Sequence, residues 1–157
     1  MNEEGARRLE LLNPLLYHGR ADLLPFPRVA EAPGAEEPGK TEWGERLFCF
    51  AIDEAQSRRI DPEPGAFLGP LLAAGYLEAA DGGEGTAFGG ETVELPRGRY
   101  LFAQKREALD KEAVIDLAIE VQKDGLWERL RLEASVYLRY LYEDGAAVTQ
   151  VFRPYRV

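Results

Sequence analysis

His18 is the only histidine in the 157-residue chain, and Cys49 is the only cysteine. Nucleophilic catalysis would pair them, with the imidazole taking a proton from the thiol. Their settings argue against it. Cys49 stands in Leu47-Phe48-Cys49-Phe50, and a cysteine among apolar neighbours behaves as a small, inert hydrophobe. No Asn or Asp stands where it would orient the histidine. One His and one Cys cannot complete a structural zinc site. The Asp53-Glu54 pair lacks the loop spacing of a Ca²⁺ or Mg²⁺ site. Residues 81–90 hold five glycines, but they lack the Lys followed by Ser/Thr of a phosphate-binding loop. No catalytic residue, metal ligand or cofactor is therefore expected, and the expectation is a protein that is not an enzyme.

The residues suited to binding are aromatic. Tyr100, Phe102, Tyr137, Tyr140 and Phe152 could line a cleft for a flat or cationic molecule through stacking and cation–π contact. Glu133 would be the anionic floor of that cleft, since a buried carboxylate favours a cation that offsets its desolvation. Aromatic residues also favour strands for packing alone, so ordinary sheet core is the competing reading. Glu120 reads as a solvated helix residue. Trp127 reads as a core anchor at a helix end, and Trp43 as a staple beside the first long strand. Arg97, Arg99, Lys105 and Arg106 form a local basic cluster that suits a charged sheet edge.

The clearest elements lie in the last third. Residues 92–105 read as a strand with a built-in turn. Residues 110–124 read as an amphipathic helix: Asp110 caps it, Glu112 complements its positive end, and Val114, Leu117, Ala118 and Val121 recur at helical spacing. Gly125 suits the left-handed position after its C-terminus. Asp144-Gly145 signals a tight hairpin. A two-residue loop there would pair Tyr142 with Ala147, Tyr140 with Thr149 and Leu138 with Val151. One face of the hairpin then carries Val136, Leu138, Tyr140, Tyr142 and Val151, and the other carries Tyr137, Arg139, Leu141, Val148, Gln150 and Phe152. The second face mixes aromatics with polar groups, as a ligand cleft or an interface does.

Earlier in the chain, residues 46–52 read as a central strand, apolar on both faces. Residues 70–80 read as a short helix with Pro70 in its first turn. Leu9, Leu12, Leu15 and Leu16 suggest a helix over residues 5–16, which Asn13-Pro14 interrupts. Residues 25–45, with four prolines, read as an extended linker. Two domain-level segments follow: residues 1–45 as an N-terminal helix or arm with its Pro-rich linker, and residues 46–157 as a single ligand-binding-like domain. The expected fold is α+β, an antiparallel sheet of five or more strands with helices packed mainly on one face. Arg46-Leu47-Phe48 and Tyr100-Leu101-Phe102 each open a strand, which suggests a duplicated βαββ unit.

The formal net charge of -9 disfavours nucleic acid, whose phosphates require a basic footprint. It favours cationic ligands or basic protein surfaces. A lone cysteine cannot form an internal disulfide and fits a reducing compartment. No apolar run reaches the length of a membrane span, and the first ten residues lack an apolar signal core. Cytoplasmic location is the expectation.

From about residue 89 to the end, the chain resembles the GyrI-like small-molecule-binding domain, the effector-binding part of some AraC- and MerR-type regulators. The resemblance rests on Glu94-Leu95-Pro96-Arg97-Gly98-Arg99-Tyr100 leading into Leu101-Phe102, then a helix, then residues 133–140, and last Val151-Phe152-Arg153-Pro154. Two features depart from that family. Ser135 stands where its glutamate would precede Tyr137, and residues 1–45 carry no DNA-reading helix-turn-helix. The resemblance implies a stand-alone sensor or inhibitor. The function expected is non-enzymatic binding of a small aromatic or cationic molecule in an aromatic, acidic, sheet-lined cleft. The alternative is a protein-interaction module or inhibitor for a basic partner. Burial of the hairpin face in a homodimer is also compatible with the pattern.

Overall fold

The computed structural model describes residues 6–19, 45–77, 92–143 and 145–156. In chain order its elements are β1 (Arg7–Leu11), β2 (Leu15–Gly19), β3 (Glu45–Ile52), α1 (Pro64–Phe67), β4 (Leu68–Leu77), β5 (Thr92–Leu95), β6 (Gly98–Lys105), α2 (Lys111–Trp127), β7 (Arg131–Leu132), β8 (Ser135–Glu143) and β9 (Ala146–Arg156). Eight strands form one sheet in the order β1-β6-β9-β8-β3-β4-β2-β5, and β7 pairs with β9 outside that path. All the pairings are antiparallel.

Chain connectivity forces this sheet to curl. Two residues, Pro96 and Arg97, join β5 to β6, yet β5 is the last strand of the path and β6 the second. Six strand spacings on a flat sheet would span about 29 Å. The step from Leu95 to Gly98 reaches at most about 11 Å. The three-residue link from β1 to β2 sets the same condition from the opposite edge. The result is a curled half-barrel.

This corrects the expected fold class. The described residues are mostly antiparallel sheet, 55% strand and 19% helix, curled into a half-barrel of eight strands rather than a sheet with helices packed on one face. Among the described residues there are two helices, and α1 is four residues long. A duplicated βαββ unit is not present either: the strand opened by Arg46 is followed by that single turn, whereas the strand opened by Tyr100 is followed by the 17 residues of α2.

Two segments read as helices are strands. Of the expected helix over residues 5–16, the described residues 6–16 hold β1, a break at Leu12–Pro14, and the start of β2. Leu9, Leu11 and Leu15 turn inward at strand spacing, while Leu12 and Leu16 stay exposed. Both segments satisfy their backbone groups at open sheet positions, β1 on β6 and β2 between β4 and β5. Residues 70–77 lie in β4, which pairs with β3 along its length; residues 78–80 of that expectation lie outside the described residues. Pro70 is tolerated because the β3–β4 register shifts between Phe50 and Ile52, and a bulge spares the ladder hydrogen bond that proline cannot donate. Most of the Pro-rich segment 25–45, Trp43 and the glycine-rich stretch 81–90 also lie outside the described residues.

The helix at Asp110 forms as the spacing predicts. The Asp110 carboxylate accepts from the Ala113 N–H at 3.0 Å, and Val114, Leu117, Ala118 and Val121 are buried against the sheet. The helix does not stop at Gly125. It runs to Trp127, and Gly125 packs inside it, where an added Cβ would come within 2.8 Å of Leu101 and Leu132. Glycine here serves close helix–sheet approach, and Arg129 takes the left-handed backbone instead, with φ 62°.

Two cores result. Phe48, Phe50, Leu101, Ala103, Val136, Leu138 and Val151 pack under α2. Inside the curl, Tyr17, Leu47, Leu95, Tyr100 and Phe152 form the second, joined by Phe102 and Tyr137.

Candidate functional site

The β8–β9 register pairs Tyr142 with Ala147, Tyr140 with Thr149 and Leu138 with Val151, as the two-residue loop predicts. Alternation along these strands therefore separates the aromatic candidates. Tyr100, Phe102, Tyr137 and Phe152 come together inside the curl. Tyr140 lies three residues from Tyr137 and faces α2 instead, where its hydroxyl donates to the Leu109 carbonyl at 3.0 Å.

The gathered rings pack against one another. Tyr100 meets Tyr137 edge-on at 6.1 Å and Phe152 at 5.8 Å, and Phe102 meets Phe152 at 5.1 Å. Tyr100 and Phe152 are each 2% exposed. Such edge-to-face geometry is what aromatic side chains adopt in a filled core. The Tyr100 hydroxyl donates to the Pro96 carbonyl. Burial pushes the Tyr100 phenol up to about 12 and raises the Tyr137 phenol as well. It also raises the Cys49 thiol, which shares a hydrogen bond with Tyr137, so no thiolate is favoured there. His18 pairs with Tyr76 of β4 and Cys49 with Ala73 of the same strand, which puts β4 between them. Among the described residues no group of three His, Cys, Asp or Glu side chains is placed to hold a metal ion.

A polar network crosses the curl. Tyr17 of β2 donates to Glu45 at 2.9 Å. Arg139 of β8 reaches both Glu45 oxygens and donates to the Tyr17 hydroxyl at 3.0 Å. It also donates to Gln150, which donates to Gln104. β2 and β8 are not neighbours in the sheet, so the network ties strands across the interior. Arg139 and Gln150 stood out in the sequence as polar intruders, and their role is this strap. Of the basic cluster, Arg97, Arg99 and Arg106 are exposed, and Arg106 lies 3.6 Å from Glu143.

Glu133 lies near enough for its charge to help raise the Tyr100 and Tyr137 phenols, and it also lines a cleft of about 610 Å³ at the end of the half-barrel. Leu126, Leu130, Leu132 and Ala134 form its apolar lining. Arg58, Arg131 and Arg156 bring positive charge to it, and Glu54 and Glu133 negative charge. The walls are the turn after β3, the end of α2, β7 and the entry to β8. Gln122 of α2 holds the turn: its amide nitrogen donates to the Gln56 carbonyl at 2.8 Å and the Arg59 carbonyl at 2.7 Å. Arg153 of β9 links these walls. It donates to Gln122 at 2.9 Å, to the Glu133 carbonyl at 2.6 Å and to the Ser57 carbonyl at 3.3 Å. Gln122 is 0% and Arg153 1% exposed. These three acceptors are neutral, and burial lowers the Arg153 guanidinium to about 10, which still leaves it charged at neutral pH. At the rim, Arg156 donates to the Glu133 carboxylate at 3.2 Å.

Of this cleft lining, Glu133 alone stands out in the sequence. Trp127, expected in the core, is 84% exposed, because it continues the solvent stripe of Asp116, Glu120 and Lys123 on the face of α2 opposite Gly125. Glu120 is exposed on α2, as a solvated residue. Neither the protein-family models nor the curated proteins contain a match to this chain. No helix among the described residues is long and apolar enough to cross a membrane.

Proposed function

We propose that this protein is a non-enzymatic small-molecule-binding module whose site is the cleft between the end of α2, β7 and the turn after β3. The observation that carries the reading is the joining, in one 610 Å³ concavity, of an apolar wall with several converging charged groups, the usual make-up of a ligand site. Gln122 and Arg153 hold three of its walls together from behind, which preorganises it. The Ser57 hydroxyl on its lining donates to the Glu54 carbonyl at 3.1 Å and is thus committed to the turn. The GyrI-like resemblance of the C-terminal part implies the same class of function, and the single cysteine fits a cytoplasmic setting. The aromatic face serves in this reading as core, and the cleft takes the binding role first assigned to it.

Ligand-observed NMR against a library of small metabolites tests this. Binders should appear, and their signals should vanish with Ala134→Phe, which fills the cleft without touching the backbone bond from Ile52 to Ala134. They should persist with Tyr100→Phe. A library without binders, or binders indifferent to Ala134→Phe, would overturn the reading.

A second reading, a protein-interaction module, is favoured by one observation, the exposure of Trp127, since tryptophan is enriched at interface hot spots.

A further inference from the structure

Within an acidic molecule the cleft is locally basic. Three arginines line it against two glutamates, and one of those glutamates is engaged by Arg156. Directly behind its wall lies Arg153, whose donors end on two carbonyls and an amide oxygen rather than on a carboxylate. Two of those three acceptors belong to Ser57 and Glu133, which themselves line the cleft. A guanidinium buried among neutral acceptors keeps an unbalanced positive field, because the low-dielectric surroundings screen it weakly. Arg58 and Arg131 add exposed guanidinium groups to the same concavity, and their planar forks suit carboxylate and phosphate oxygens. The apolar wall of Leu126, Leu130 and Leu132 is of no use to a bare inorganic ion.

Resting on the cleft as the binding site, we propose that its ligand is an amphipathic anion: a carboxylate or phosphate monoester carried on a hydrocarbon body. The anionic head meets Arg58 and Arg131, and the body lies on the leucine wall. This reverses the ligand charge that the net charge of -9 suggests. The reversal is physical, because at physiological ionic strength charges beyond about 8 Å are largely screened and the local groups decide.

Calorimetric titration of the full chain with four probes tests the assignment: octanoate, octyl phosphate, inorganic phosphate and octyltrimethylammonium. Octanoate or octyl phosphate should bind, inorganic phosphate at least about tenfold more weakly, and the ammonium not detectably. The double variant Arg58→Ala/Arg131→Ala should weaken the anionic amphiphile at least about tenfold. Both side chains are exposed, so the melting temperature should stay near that of the parent, and a circular-dichroism melt checks this. Equal binding of the ammonium probe, equal binding of inorganic phosphate, or indifference to the double variant would overturn the proposal. If the ammonium probe binds and Ala134→Phe abolishes it, the cleft remains the binding site and only the charge assignment fails. If no probe binds and the metabolite library is also silent, the site itself fails.

Discussion

Arg153 concentrates the residue-scale problem, because burying a charge is tolerated only where every donor finds an acceptor. Here the guanidinium replaces water with Glu133, Gln122 and Ser57 oxygens. Arg153→Ala would strip a donor from each of them at once, inside a wall where water has little access. The expected loss of unfolding free energy is about 3 kcal/mol, about 1 kcal/mol for each neutral acceptor left without its donor. Arg153→Lys keeps the charge but not the fork, so it should lose less than the alanine variant. Urea unfolding monitored by circular dichroism measures both. A loss below about 1 kcal/mol for the alanine variant would mean that the turn after β3 is held by Gln122 alone.

At the scale of elements, α2 shows how far pattern carries and where it stops. Its start and buried stripe were legible because capping and 3.6-residue periodicity are local properties. Its end was not, because Gly125 looks the same whether it stops a helix or lets one approach a sheet, and only Leu101 and Leu132 decide. With the helix continued to Trp127, that residue falls on the solvent stripe of Asp116, Glu120 and Lys123. Trp127→Ala should change stability by no more than about 0.5 kcal/mol, against the 3–5 kcal/mol typical of a core aromatic; thermal melts of the two proteins separate these outcomes. The hairpin register was equally legible, since Asp144-Gly145 and strict alternation leave one pairing. β1, β2 and β4 were hidden for a common reason. Each is too short or too interrupted by proline and glycine to signal a strand alone, and each is made one by partners distant in sequence. Of the candidate site, the sequence shows Glu133 and the ring ladder. The cleft lining joins residues 54–58, 126–134 and 156, and no local pattern links those segments.

At the scale of the molecule, the curl decides what the aromatic residues are for. A flat sheet would leave Tyr100, Tyr137 and Phe152 needing a ligand or a partner; the half-barrel covers them with its own edge strands. Leu9 and Leu11 of β1 and Leu15 and Tyr17 of β2 pack on that cluster, so β1 and β2 are part of the core. Gly75 marks how tightly the far edge folds in, since a Cβ there would come within 3.0 Å of Tyr17 and of the His18 carbonyl. A protein beginning at residue 46, the boundary the sequence suggested, would therefore lose β1, β2 and the Tyr17–Glu45–Arg139 strap together. It should show no cooperative thermal transition, bind a hydrophobic dye such as ANS at room temperature, and lose the near-ultraviolet circular dichroism of its packed tyrosines. A truncated chain that instead melts cooperatively with intact near-ultraviolet signal would show that β3, β6, β8, β9 and α2 bury their rings without the curl, and the face inside it would again be open to a ligand.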